Sequence, residues 1–342
     1  MANSIAREIQ QRDNYLTNNI INSIYFGGGT PSLLNKAEFN AIFEAIHNAF
    51  IIDKNAEITI EANPDDISIE HLNLWKELKI NRLSIGLQSF NDEELKWMNR
   101  AHTASQSVNS VLLAQENGFD NITIDLIYGS KFQDLKNWQS TLLQAVSLNT
   151  QHVSAYNLTI EDKTVLGVQL LKGKEPSVND DLSSRQFLLM SDILQQNNFV
   201  HYEISNFGKP GFFAKHNSNY WLQKNYLGVG PSAHSFNGTS RQWNVKNNNQ
   251  YIKAIEQNKT YFEREELSVK DRFNEYVLTR LRTIWGCDVN EIKLLFGEEI
   301  HEYFLKIITV KKNNFEEKNG IYTLTKQARL YADGIAADFF IS

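Results

Sequence analysis

The hydrophobic positions along the chain form short apolar runs that are separated by amphipathic segments. The apolar runs are rich in β-branched residues and predict six strands, at residues 21–26, 57–61, 82–87, 121–127, 152–158 and 199–204. The segments between them predict helices at 36–50, 68–78, 105–117, 137–148 and 180–196. Asn35 and Glu38 have the spacing of a capping box at the start of the first of these helices. Strands that alternate with helices of this length predict repeated βα units and a parallel sheet.

The two ends of the chain depart from this pattern. Residues 3 to about 17 predict a helix ahead of the first strand, whereas a βα barrel begins with a strand. We therefore expect a barrel without its first strand, or a sequence that begins late. A polar segment at 246–266 predicts a linker between a partial barrel (1–245) and an accessory domain (267–342). The accessory segment predicts a winged-helix-like domain, with helices at 270–285, 289–296 and 299–306, a hairpin at 313–324 and a last helix at 326–340.

Composition and charge narrow the class of protein. The 342 residues are 42% hydrophobic and carry a net charge of -6, so no basic field indicates a nucleic-acid partner. No apolar run approaches the roughly 20 residues of a membrane span, and the amino terminus has no apolar signal core, so we expect a cytoplasmic protein. Cys287 is the only cysteine, which excludes an internal disulfide and any zinc or iron–sulfur site built from several cysteines of these residues.

Polar residues stand at the carboxyl ends of the predicted strands, where parallel βα folds build their ligand sites. They are Gly27 to Thr30, Glu61, Asn63, Gln88, Asp125, Tyr156, Asn157, Glu203, Ser205 and Asn206. A polar group costs free energy in a strand unless it has a partner, so the set predicts one polar ligand site. Gly28 and Gly29 would let backbone N–H groups reach a carboxylate or phosphate, although a tight turn is the alternative. The loop is not a P-loop, because no Gly-Lys-Ser/Thr follows.

A second candidate site lies in the sequence His216-Asn-Ser-Asn-Tyr220-Trp221. A histidine with aromatic residues at this spacing could ligate heme iron, with Tyr220 and Trp221 packed on the macrocycle. An ordinary packed loop is the alternative.

Several motifs, in order along nearly the whole chain, resemble those of radical S-adenosylmethionine (SAM) proteins similar to oxygen-independent coproporphyrinogen III oxidase. They span residues 24–34, 57–64, 81–90, 99–102, 124–129 and 202–207. The motif His-Asn-x-x-Tyr-Trp at 216–221 and the segment 227–235 resemble the heme-chaperone branch of that family. The resemblance implies a partial six-stranded βα barrel with an accessory carboxyl-terminal domain, and it adds His234 as a second candidate heme ligand.

The resemblance also implies residue roles in a SAM pocket. Gly28, Gly29, Thr30 and Glu61 would hold the amino-acid end of SAM, and Gln88, Arg100 and Asp125 would complete the pocket. The family's Cys-x3-Cys-x2-Cys loop, which holds a [4Fe–4S] cluster after its first strand, is absent from this sequence. We expect a late start or a truncation, with true loss of the cluster as the alternative. The family's Gly-Leu-Pro-x-Gln is Gly-Ser-Lys-Phe-Gln at 129–133, which changes a loop next to Asp125.

Three functions compete on this basis. The first is a heme-binding chaperone that passes heme to respiratory or other hemoproteins, with SAM and the cluster in supporting roles. The second is a radical enzyme that decarboxylates the propionates of coproporphyrinogen III, and the third is a scaffold that only binds partners. The histidine motif favours the first, the absent cysteines count against the second, and the retained polar pocket argues against the third. The oligomeric state, the heme recipient and contact with a membrane surface stay open.

Overall fold

Strands and helices alternate through most of the chain, as the hydrophobic pattern predicts. The computed structural model describes residues Met1–Ser342. The strands are β1 (Ile20–Phe26), β2 (Ile51–Ala62), β3 (Arg82–Gln88), β4 (Ile122–Tyr128), β5 (His152–Asn157), β6 (Val200–Glu203), β7 (Asn206–Gly208), β8 (His234–Phe236), β9 (Ser240–Asn244), β10 (Phe262–Glu266), β11 (Cys287–Asp288), β12 (Phe315–Lys318) and β13 (Ile321–Leu324).

The α-helices lie between these strands, and most follow the predicted bounds closely. They are α1 (Ala2–Gln11), α2 (Lys36–Ala49), α3 (Ile69–Glu77), α4 (Asp92–Trp97), α5 (Ala104–Glu116), α6 (Leu135–Ser147), α7 (Val165–Leu171), α8 (Asp180–Gln196), α9 (Lys215–Trp221), α10 (Asn248–Glu256), α11 (Val269–Leu281), α12 (Val289–Phe296), α13 (Glu298–Val310) and α14 (Ala332–Ala337). The capping box of α2 is confirmed: Asn35 accepts from the N–H of Glu38, whose carboxylate accepts from the N–H of Asn35.

The largest sheet confirms the predicted α/β class and its partial barrel. Its strand order is β1-β2-β3-β4-β5-β7-β6, and the strands from β2 to β5 are parallel. Strand β7 runs antiparallel to both of its neighbours and separates β6 from β5. The sequence did not predict β7, because three residues are too few to show an alternating pattern.

The chain forms two compact units that do not follow the predicted boundary at residue 245. The first unit comprises Met1–Tyr25, Leu33–Ile58 and Lys215–Ser342, and the second comprises Phe26–Ser32 and Thr59–Ala214. The amino-terminal helix belongs to the first unit because Glu8 of α1, which is fully buried, accepts hydrogen bonds from Asn244 and Tyr251. Such long-range polar contacts leave no periodic signal in a sequence.

The predicted linker at 246–266 contains a helix and a strand. Its asparagine run is the start of α10, where the Asn247 side chain accepts from the N–H of Gln250 and caps the helix. Tyr251 and Ile255 are buried beside Tyr261. Strand β10 pairs with β9, but it is charged and most of its side chains are exposed, so the segment resembles a linker when its pairing is unknown.

The carboxyl-terminal residues have the element order of a winged-helix domain. Helices α11 to α13 accompany a three-stranded antiparallel sheet of order β11-β13-β12. The last predicted helix (326–340) is shorter in the structure, where a 3₁₀ turn at Ala328–Tyr331 precedes α14. No helix in the chain combines the length and apolar character needed to cross a membrane.

Candidate functional site

A row of polar side chains crosses the sheet of the second unit. Glu61 of β2 lies opposite Ser84 of β3, and Asp125 of β4 lies opposite Ser154 of β5. The Ser84 hydroxyl donates to Asp125 Oδ2 over 3.2 Å. Two carboxylates and two hydroxyls therefore lie on neighbouring parallel strands. Glu61 is near the carboxyl end of β2, but Ser84, Asp125 and Ser154 lie toward the middle of their strands and not at the edge where the sequence predicts a ligand site.

The row continues onto the antiparallel strands. The Ser154 hydroxyl donates to Asn206 Oδ1 over 2.6 Å, and the Asn206 amide donates to the buried Glu203 carboxylate. The Tyr156 hydroxyl lies in this network, and its pKa is raised by burial and by the charges of Asp125 and Glu203. The sequence identified Asn206 and Glu203 as polar residues at strand ends, but it missed Ser84 and Ser154, since serine is common in half-buried strands.

The glycine loop after β1 is open and is held by Glu61. The N–H of Gly28 donates to Glu61 Oε2 over 3.2 Å. Gly28 and Gly29 have φ angles of 72° and 123°, which disfavour other residues, and a Cβ added at either would meet no atom within 4 Å. Both glycines and Thr30 are exposed, so the loop offers approachable backbone next to a carboxylate.

Gln88 adopts a left-handed backbone conformation at the end of β3. Its φ is 66°, and the register with β4 shifts between Ile85 and Gln88. A Cβ at Gly86 would lie 2.7 Å from Gln88 Nε2, so glycine at this position leaves room for the Gln88 side chain. Backbone strain of this kind concentrates at functional sites, where the surroundings hold one side chain in place.

Asp125 and Arg100 are both desolvated, and the charge of Asp125 acts on Arg100. Burial raises the pKa of Asp125 to about 6, with the Glu61 charge acting in the same direction and hydrogen bonds with Ser154 and Ser84 opposing it. Burial lowers the pKa of Arg100, and the charge of Asp125 opposes that shift. The structure thus brings Gly28, Glu61, Arg100 and Asp125 into one polar site.

The substitution Asp125→Asn is expected to stabilise the protein above pH 6. The folded-state pKa lies above the ordinary value of 3.8, so the stability contributed by Asp125 is fully present below about pH 4 and is lost as the pH rises through 6. The amide that replaces the carboxyl group stays neutral at every pH. The free energy of unfolding of the variant should therefore exceed that of the unmodified protein by about 1–3 kcal/mol at pH 8 and equal it at pH 4. Urea unfolding of both proteins at the two pH values measures this, and an equal gain at both would contradict it.

His216 of α9 is held by a separate set of residues in the first unit. Its Nδ1 lies 3.1 Å from Ser23 Oγ, and its Nε2 lies 3.1 Å from the Tyr220 hydroxyl. The ring stacks on Tyr25, with centroids 4.8 Å apart. The backbone N–H groups of Lys215 and His216 donate to the Glu57 carboxylate over 3.1 and 3.0 Å.

The surroundings keep His216 neutral. Burial lowers its pKa to about 4 and raises the pKa of Tyr220 to about 12. A neutral imidazole is the form that ligates metal ions, and a partner on one ring nitrogen orients the other. The sequence missed Ser23 and Tyr25 as the residues that hold this ring, although their spacing of two on β1 places them on one face of the strand.

The other two predicted heme residues have different surroundings. The Arg282 guanidinium lies 5.2 Å from the Trp221 ring centroid, and the buried indole N–H has no hydrogen-bond partner. His234 is exposed on β8, beside Trp243 of β9 at a centroid distance of 6.4 Å. The structure therefore joins Tyr220 directly to His216 and places Trp221 on the same helix, but their roles with heme stay predictions.

The side chains present fit SAM and heme but do not fit an iron–sulfur cluster. The open glycine loop with Glu61, Arg100 and Asp125 suits a ligand that carries ammonium, carboxylate and hydroxyl groups. His216 offers a neutral imidazole for an iron. A [4Fe–4S] cluster needs several thiolates, whereas Cys287 is fully buried in β11 and burial raises the pKa of its thiol. No group of three His, Cys, Asp or Glu side chains could hold a metal ion.

Known proteins are similar in sequence to most of this chain. Residues 4–144 match the model of the radical SAM superfamily. The heme chaperone HemW of Lactococcus lactis is 36% identical over 290 residues, which are 82% of this chain and 76% of that protein. The heme chaperone HemW of Bacillus subtilis is 31% identical over 324 residues, which are 93% of this chain and 85% of that protein.

A solved structure has the same fold. The radical SAM enzyme coproporphyrinogen III oxidase (HemN) of Escherichia coli superposes with a TM-score of 0.81 and 24% identity, and the match covers 98% of this chain and 81% of that one. The identity is low, so this likeness concerns the fold alone. From the extent and identity of the matches to HemW, the chain belongs to the HemW heme-chaperone family within the radical SAM superfamily.

Proposed function

We propose that the chain binds heme through His216 and passes it to hemoproteins. The observation that carries this proposal is the setting of the His216 ring: a neutral imidazole with Nδ1 held by Ser23 and Nε2 directed to a tyrosine hydroxyl. Proteins named heme chaperones are at least 31% identical over most of the chain, which supports the same activity here.

The contacts of His216 suit a ligand that must later be released. Ser23 and the stacked Tyr25 fix the ring, so little freedom is lost when Nε2 binds a metal ion. The Tyr220 hydroxyl bonds to Nε2 and would compete with an incoming ligand for that nitrogen. When bound, heme would supply an iron that accepts an axial nitrogen, and a competing hydroxyl keeps that bond exchangeable.

We also propose that the polar site of the second unit binds SAM. Gly28, Gly29, Thr30 and Glu61 would hold its amino-acid end, and Gln88, Arg100 and Asp125 would complete the pocket. Radical chemistry in this family uses a cluster, and these 342 residues carry no set of cysteines that could hold one. The cytoplasmic location predicted from the sequence stays part of this proposal.

Heme transfer is the experiment that separates a chaperone from an oxidase. The chain would be loaded with one equivalent of heme, repurified, and mixed with an apo-hemoprotein while the Soret band of the product is followed. We expect transfer at a rate that depends on acceptor concentration, and no conversion of coproporphyrinogen III. Retention of heme in the presence of excess acceptor, or decarboxylation of coproporphyrinogen III by the chain, would overturn the proposal.

Replacing Ser23 with alanine is expected to weaken heme binding without removing it. The variant loses the hydrogen-bond partner of His216 Nδ1, and loss of such an outer partner typically lowers metal affinity about 10- to 100-fold. Heme titration followed at the Soret band measures the effect, and Ser147→Ala, on the exposed face of α6, is the matched control. Equal affinities of the two variants would show that Ser23 does not orient the ligating ring.

A further inference from the structure

A cavity in the first unit lies where the end of α1 meets strands β9 and β10. Its volume is about 460 Å³. Aromatic rings of Tyr15, Tyr261 and Phe262 line it together with the cations Arg12 and Lys259. Four amide side chains and a threonine complete the lining, which includes no carboxylate. The cavity therefore suits a ligand with a flat apolar body and an anionic edge.

Two polar groups of the lining have no partner among the side chains of the protein. The Tyr15 hydroxyl is buried and has no hydrogen-bond partner, which costs free energy until a partner arrives. Lys259 is exposed and makes no ion pair. Arg12, by contrast, is already bound to the Glu8 carboxylate and to Gln242 Oε1, so its role is to hold the lining of the cavity in place.

The segment from Asn225 to Gly228 contacts the surroundings of His216 and also residues at this cavity. On one side, the ring of Tyr226 contacts the ring of Tyr220 at a centroid distance of 4.5 Å, and Tyr220 bonds to His216. On the other side, the Asn225 amide donates to Thr17 Oγ1 and the Gly228 carbonyl accepts from Arg12. The Arg12 guanidinium in turn lies 4.4 Å from the centroid of the Tyr15 ring.

We propose that this cavity receives the carboxylates of the heme that His216 ligates, with Tyr15 and Lys259 as their donors. This inference rests on the proposed function and specifies how the macrocycle is oriented. Both propionates of heme leave the ring at one edge, so one axial ligand and one anionic pocket suffice to fix its rotation. A tyrosine hydroxyl donates a hydrogen bond to a carboxylate, and an ammonium group both donates and carries the opposite charge.

The experiment compares heme with its dimethyl ester on the full chain. The ester keeps the iron and the ring but removes both negative charges. We expect the unmodified chain to bind heme about tenfold more tightly than the ester, since loss of charge-assisted hydrogen bonds is usually of that size. Equal affinities for the two ligands would overturn the inference while leaving His216 as ligand.

Two variants then locate the carboxylates. Tyr15→Phe removes an unpartnered hydroxyl, so its thermal stability should be unchanged or higher while its affinity for heme falls about three- to tenfold. Lys259→Met should lower heme affinity by a similar factor at low salt and less at high salt. Lys253→Met on the exposed face of α10 is the control, and the preference for heme over the ester should decrease only in the first two variants.

The outcomes distinguish this inference from the proposed function. If His216→Ala loses heme binding while Tyr15→Phe and Lys259→Met match the control, the cavity is not the carboxylate site and His216 remains the ligand. If the two cavity variants weaken binding of heme but His216→Ala does not, the cavity binds the anionic edge and the proposed axial ligand is wrong.

Discussion

Replacing His216 with alanine is expected to abolish saturable heme binding, with a loss of affinity of at least about 100-fold. Removal of an outer hydrogen-bond partner already costs up to about that factor, and His216 supplies the ligating nitrogen itself. Its Nε2 can accept a ligand once the Tyr220 side chain moves away from it, and its low pKa keeps it neutral across the physiological range. Titration of heme followed at the Soret band measures the loss.

Two controls make that result specific. His234→Ala removes the exposed second candidate on β8, and we expect it to retain most of the affinity. Tyr220→Phe removes the hydroxyl that competes for His216 Nε2, so heme should bind at least as tightly as to the unmodified chain. A larger loss in His234→Ala than in His216→Ala would assign the iron to the other histidine and refute the proposed arrangement.

The sequence predicted the repeated βα units because their buried strands consist mostly of apolar residues. Residues such as Leu83, Ile124 and Val153 are fully buried in consecutive parallel strands, and such strands appear as apolar runs. Helix α2 was predicted to within one residue because its amino-terminal cap lies in the local sequence. The order of the motifs along the chain predicted the family, and the extent of the matches to HemW confirms that prediction.

The parts that escaped prediction depend on contacts between distant residues. Strand β10 is charged and mostly exposed, and only its pairing with β9 shows that it is a strand. The row of polar side chains could be predicted at Glu61 and Asp125, but the link between them runs through Ser84, a residue with no functional signal of its own. In the same way, Ser23 is 193 residues from His216 along the chain, and nothing local connects them.

Replacing Glu8 with alanine is expected to destabilise the first unit by about 3–5 kcal/mol, the usual cost of removing one member of a buried charged network. Glu8 is fully buried and accepts from Arg12, the N–H of Gly230, the amide of Asn244 and the hydroxyl of Tyr251. Alanine would leave the Arg12 charge and three further donors without their acceptor in a site closed to water.

Thermal and urea unfolding of Glu8→Ala measure this loss, and Glu44→Ala on the exposed face of α2 is the matched control. Glu8→Gln keeps one acceptor oxygen and should fall between the two, because the amide can still bind some of the four donors but no longer balances Arg12. The network also holds Arg12, which lines the cavity beside Tyr15, so heme affinity should fall together with stability in Glu8→Ala. If Glu8→Ala unfolds like Glu44→Ala, the buried carboxylate does not hold α1 in place, and the wall of the cavity next to Arg12 must be stabilised by packing alone.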